Sequence, residues 1–229
     1  MKNIIFAAIG GIFGTGVGLF LPKIVSYILR YKCNQRNIET PLLKLSQQTR
    51  LTLFILHTGL YAVAFWVMPV TSAVLTCVFI TVAIVSAIID YHIHIIANEV
   101  VLFLLTTGIV YRFVDGGFAS LIGGLWAFLI TIGIFGSAAV FTYWRKGTIG
   151  IGAGDLKLVL AIAVTVGYPG VFYFLAGIAV AIIVYCFVGL KFRLLTWNSS
   201  FPMCAHIMIG FLTGLFYPYI TSFNPLFIG

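Results

Sequence analysis

The chain has 229 residues, 62% of them hydrophobic and 8% charged, with a formal net charge of +8 and a mean hydropathy of +1.15. A soluble domain is about 45–50% apolar and about 25% charged, so a soluble globular protein, a disordered tail and a disulfide-stapled secreted fold are all excluded. The cations sit at the ends of apolar runs and form no basic patch with interleaved aromatics, which argues for a lipid bilayer and against nucleic acid as a partner.

A membrane-spanning helix needs about 20 mostly apolar residues. The first run, residues 4–29, is too long for a signal-peptide core and is expected to be a retained helix. Its Gly10, Gly14 and Gly18 fall four apart on one helix face, a pattern that permits close approach of a neighbouring backbone. Residues 30–50 follow as a short basic loop with Arg30, Lys32, Arg36, Lys44 and Arg50 against the single acid Glu39. Further runs cover 51–68, 71–89, 95–111, 118–144, 156–166, 171–190 and 203–220. Pro69, Asp115-Gly116-Gly117 and Gly167-Tyr168-Pro169-Gly170 mark turns between them. The expected fold is therefore all-α: a polytopic membrane protein with about eight transmembrane helices, residues 1–229 forming one integral-membrane domain.

Cations fix the expected orientation, because Lys and Arg stay in cytoplasmic loops. With the N-terminus outside, alternation places Arg145, Lys146, Lys157, Lys191 and Arg193 on the cytoplasmic side with the loop at 30–50. Only Lys2 and Arg112 remain outside. The four cysteines, Cys33, Cys77, Cys186 and Cys204, include no CxxC pair, so neither a zinc site nor a thioredoxin-type motif is expected. His92 and His94 lack a third ligand at suitable spacing, and no metal is assigned to them.

Only five acids occur, and charge inside a bilayer costs about 2.5–3.5 kcal/mol at a helix centre. Glu39 and Asp115 fall in polar or Gly-rich connections, and Glu99 opens the fourth run. Asp90 closes the run Ser86-Ala87-Ile88-Ile89. Asp155 stands in Gly150-Ile151-Gly152-Ala153-Gly154-Asp155-Leu156-Lys157-Leu158, where an apolar helix resumes. Alternation puts both aspartates at cytoplasmic helix ends. Either alone is an ordinary interfacial cap, and Lys157 is a possible partner for Asp155. Two carboxylates at one depth, beside a Gly-x-Gly backbone, suit an aspartic protease. One carboxylate then acts as general base on a water while its protonated partner donates to the scissile carbonyl.

At these residues the sequence resembles the type IV prepilin peptidases, the bacterial branch of the GxGD intramembrane aspartic proteases. Asp90 followed by Ile96-Ala97-Asn98 is similar to the family's aspartate, five residues, then Ile-Pro-Asn. Gly152-Ala153-Gly154-Asp155-Leu156-Lys157-Leu158 is similar to Gly-x-Gly-Asp-x-Lys-Leu, and Phe201-Pro202-Met203 resembles Ile-Pro-Phe before the last span. The resemblance implies Asp90 and Asp155 as the catalytic pair, with Gly152, Gly154, Lys157 and Asn98 around the substrate. It further implies a bacterial inner-membrane endopeptidase that removes the basic leader of a prepilin or pseudopilin after a glycine, at the cytoplasmic face, with no cofactor.

Ala97 stands where the family has proline, and the loop at 30–50 lacks the paired CxxC motifs that hold zinc in larger relatives. That reduced loop argues against the S-adenosylmethionine-dependent methyl transfer those enzymes also perform. Two rival readings use the same residues: a proton-coupled transporter built on the buried acids, and a catalytically silent assembly protein of a pilus or secretion machine. Transporters place their charges near the bilayer midplane, often on broken helices in internal repeats. Here both aspartates are terminal, and no repeat is evident.

Overall fold

A computed structural model describes residues 2–35, 37, 46–147, 152–193 and 202–222. Most of the polar connection at 36–45, the start of the Gly150–Asp155 segment, Trp197 and Phe201 lie outside the described residues. Within them every regular element is helical: α1 (Lys2–Gln35), α2 (Gln47–Val67), α3 (Val70–Ile93), α4 (Asn98–Lys146), α5 (Ala153–Val166), α6 (Gly170–Lys191) and α7 (Cys204–Ser222). Five of these, α1, α2, α3, α4 and α6, are long and apolar enough to cross a membrane, and α7 is a shorter apolar helix. The chain is thus an all-helical, multi-pass membrane protein. It divides into two compact units, Met1–His94 and Ile95–Gly229.

In the first unit, α1 and α2 pack with almost no space between backbones. A Cβ built on Gly10 would lie 2.8 Å from the Tyr61 carbonyl oxygen, and one on Gly14 would lie 2.9 Å from that of His57. One on Gly18 would lie 3.4 Å from Phe54 Cα. As the α1 number rises the α2 number falls, so the helices are antiparallel, and the glycine face is a packing surface as its spacing predicts. The stripe continues through Leu21, Val25, Leu29 and Cys33, all buried. Tyr61 and Thr81 join α2 to α3 through their hydroxyls at 2.7 Å.

The polar stretch at 30–50 is less loop than expected. Helix α1 runs on to Gln35, with Lys32 donating to Gln35 Oε1 at 3.0 Å. Helix α2 begins at Gln47, capped by the Ser46 side chain, which accepts from the Thr49 N–H. The reason is that Arg, Lys and Gln are good helix formers. An apolar run marks where hydrophobicity stops, which is not where the helix stops.

In the second unit, α4 is two helical halves broken at Gly116 and Gly117; Gly117 has φ +61°, a conformation glycine adopts without penalty. The halves fold back on each other. Thr165 of α5 donates to the Leu104 carbonyl at 3.4 Å, while a Cβ on Gly124 would lie 2.9 Å from the carbonyl oxygen of the adjacent Val164. In one straight helix, residues 104 and 124 would be about 30 Å apart. The Gly-rich turn expected at 115–117 is therefore a reversal, held by Arg112, which donates to the Ser120 and Val166 carbonyls. Asp115, in the Gly-rich connection, is exposed and accepts from the Tyr219 hydroxyl at 2.9 Å. Helix α5 is buried on nearly all sides, through Leu158, Val159, Ala161, Ile162, Ala163, Thr165 and Val166. Beside it α6 and α7 meet at Gly177 and Gly210, where a Cβ on Gly177 would lie 2.9 Å from Gly210 Cα.

Candidate active site

Asp90 lies in the last turn of α3 and is buried, with 6% of its surface exposed. That turn is closed by its two histidines. His94 takes the left-handed conformation (φ +51°, ψ +41°) of a C-terminal cap, and its N–H donates to the Asp90 carbonyl at 2.8 Å. The Nδ1 atoms of His92 and His94 lie 2.8 Å from the Ile88 and Asp90 carbonyl oxygens. These rings thus finish the helix, as polar side chains near a C-terminus do. One turn before Asp90, on the same buried face, stands Ser86. Its hydroxyl is buried and has no hydrogen-bond partner among the described residues.

Asp155 is the third residue of α5, after the N-cap Gly152. An acid there reaches back toward the cap backbone and meets the positive end of the helix. The structure has that arrangement: a Cβ built on Gly152 would lie 2.7 Å from Asp155 Oδ2. Gly154, next in the motif, faces Ile96, whose Cβ is 3.5 Å from the position its own Cβ would take. Ile96, which belongs to the same unit as Gly154, begins the Ile-Ala-Asn that follows Asp90 in sequence. Asn98 opens α4 directly after it and is exposed, as is Lys157.

The two aspartates belong to different compact units: Asp90 with α3 in the first, Asp155 with α5 in the second. Of the residues singled out by sequence, Gly152, Gly154, Asp155, Lys157 and Asn98 share the second unit. Sequence reading gives no functional role to Ser86 and takes Ile96 only as the first residue of its motif. Ser86 was visible as the residue four before Asp90, a spacing that puts two helical side chains on one face. Among the described residues no three His, Cys, Asp or Glu side chains converge as a metal site would require. Cys33, Cys77 and Cys204 are buried and Cys186 is half-buried, with no disulfide among the four.

Residues 77–187, a stretch that runs from α3 into α6 and contains both aspartates, match the type IV leader peptidase family. The family resemblance read from the two motifs is shown by this match, which covers just under half of the chain. Neither the curated proteins nor the solved structures yield a match to this chain. The apolar helices make this a multi-pass membrane protein, and over residues 77–187 it is similar to the type IV leader peptidases.

Proposed function

Taking that family match as premise, we propose that the protein is a membrane-embedded aspartic endopeptidase that cleaves the basic leader of a prepilin or pseudopilin after a glycine. Asp90 and Asp155 are its catalytic pair. The observation that carries this reading is the placement of Asp155 in the first turn of α5, with its carboxylate folded over a glycine that leaves it room. The family match spans both aspartate motifs and supports the same pair.

Each carboxylate then has a distinct task. The N-terminal end of a helix favours an anion, so Asp155 is the base, and the proton that two close carboxylates share rests on Asp90. Asp155 takes a proton from water as the water oxygen attacks the scissile carbonyl carbon, while Asp90 gives its proton to the carbonyl oxygen. Collapse of the tetrahedral adduct breaks the C–N bond. The departing amine takes up the proton held by Asp155, and Asp90 recovers its own. Gly152 and Gly154 let an extended peptide come close, and Asn98 and Lys157 line its approach. Counting the two halves of α4 separately and adding α5 and α7, we read eight passes. The N-terminus is outside, the site lies on the cytoplasmic side of a bacterial inner membrane, and methyl transfer is not part of the activity.

The test is intact-mass analysis of a prepilin-like substrate incubated with the purified protein in detergent. Loss of the leader after its glycine, abolished by Asp90→Asn and by Asp155→Asn, is the expected result. A folded protein that leaves several prepilins uncut would sink the proposal, and cleavage that survives either substitution would remove that aspartate from it.

A further inference from the structure

The antiparallel register of α1 and α2 sets Gly18 against Phe54, and continuing it brings residue 22 level with residue 50. Here the glycine face ends and the helices leave a groove of about 870 Å³ between them. Pockets that hold a drug-sized molecule run from about 300 to 1,000 Å³. Its lining has two chemistries. Leu19, Pro22, Leu51 and Phe54 are apolar, and Lys23, Arg30 and Arg50 are cationic. Among the described residues no acid lines it. Lys23 and Arg30 are seven apart and share a face of α1. Arg50 comes from the first turn of α2.

Three like charges facing one groove beside hydrocarbon repel one another and call for an anion. The ligand must also cover the apolar wall, which a small free anion cannot do. A zwitterionic lipid would bring its own ammonium against the same three cations. We propose that this groove binds one anionic glycerophospholipid. Its phosphate is held by Arg30, Arg50 and Lys23, and an acyl chain lies along Leu19, Pro22, Leu51 and Phe54. Arginine suits the role because its guanidinium fork matches two phosphate oxygens at once. The lipid would tie the end of α1 to the start of α2.

Native mass spectrometry of the full chain, released from detergent with added dioleoyl-phosphatidylglycerol or dioleoyl-phosphatidylcholine, tests this. The wild type is expected to retain one phosphatidylglycerol in preference to phosphatidylcholine. The triple variant Lys23→Gln/Arg30→Gln/Arg50→Gln should bind it roughly a hundredfold more weakly, at about fivefold per charge. The control triple Arg145→Gln/Lys191→Gln/Arg193→Gln, with the same loss of charge away from the groove, should bind it as the wild type does. Should the groove triple elute as an aggregate, Arg30→Gln and Arg50→Gln singly are each expected to weaken binding about fivefold. Undiminished binding by the groove variants, equal loss in the control triple, equal retention of phosphatidylcholine, or displacement by excess inorganic phosphate would each overturn the assignment.

Discussion

The Asp155 carboxylate folds back over Gly152 so closely that a Cβ on the glycine would lie 2.7 Å from Oδ2. Gly152→Ala therefore leaves the helix start intact and moves the carboxylate. Turnover is expected to fall about tenfold or more, as a small misplacement of a reacting group commonly costs, with KM little changed. Gly154→Ala differs, because its new Cβ meets Ile96 at 3.5 Å, an ordinary contact. That variant should fold normally and keep kcat and KM close to those of the parent. Steady-state cleavage kinetics on both variants separate the two effects; equal effects on kcat and KM in the two would refute the distinction.

Ser86 gives a prediction in which stability and activity move in opposite directions. An unpartnered buried hydroxyl costs about 1–3 kcal/mol, so Ser86→Ala should unfold no more easily than the parent. The hydroxyl is one turn from Asp90 on the same buried face, so its removal takes a polar group from beside a carboxylate that the proposed reaction protonates and deprotonates. Its loss should lower kcat about tenfold, less than the roughly 10²–10⁴-fold of a group that itself transfers the proton. Thr76→Val, which removes another unpartnered hydroxyl farther back on α3, should leave kcat unchanged. A Ser86→Ala enzyme of full activity would assign this hydroxyl to structure alone.

Two glycines of α1 should respond with opposite sign. Alanine at Gly14 collides with the α2 backbone at 2.9 Å from the His57 carbonyl. It should destabilise by about 1–3 kcal/mol, as overpacking does. Alanine at Gly16 meets nothing within 4 Å and should stabilise by up to about 1 kcal/mol through helix propensity. Thermal unfolding in detergent measures both.

Arg112 is the clasp of the α4 reversal. Arg112→Ala leaves the Ser120 and Val166 carbonyls without their donor and should cost about 1.5–3 kcal/mol for each charged hydrogen bond lost. Arg112→Lys keeps the charge without the fork and should fall between the two. Unfolding midpoints of the three proteins in that order are the expected result; a lysine variant as stable as the parent would mean that charge alone holds the turn.

Much of this architecture was legible in the sequence because it rests on hydrophobicity, which is additive along a chain. The apolar runs located α2, α3, α6 and α7 to within a few residues, and the four-residue spacing of Gly10, Gly14 and Gly18 announced the α1–α2 contact. What stayed hidden depends on partners distant in the chain. That the turn at Gly116–Gly117 is clasped by Arg112 and tethered through Asp115 to Tyr219 follows from no local pattern. Helix continuation through Arg30–Gln35 is not legible, because polarity alone does not distinguish a loop from a solvated helix end. At the site, Asp155 at a helix start could be read from Gly-x-Gly before an apolar run. The burial of Ser86 and the contact of Ile96 with Gly154 are tertiary facts.

Helix α5 has only 14 residues and so rises about 21 Å, against a hydrocarbon layer about 30 Å thick. It cannot bridge that layer by itself. Its far end is fastened, because the Val166 carbonyl accepts from Arg112 and the Tyr168 N–H donates to the Gly123 carbonyl. For α5 to serve as one of the eight passes proposed above, the hydrocarbon layer must thin by about 9 Å. Thinning at the end that carries Asp155 would bring the proposed hydrolysis the reactant it most lacks, which is water.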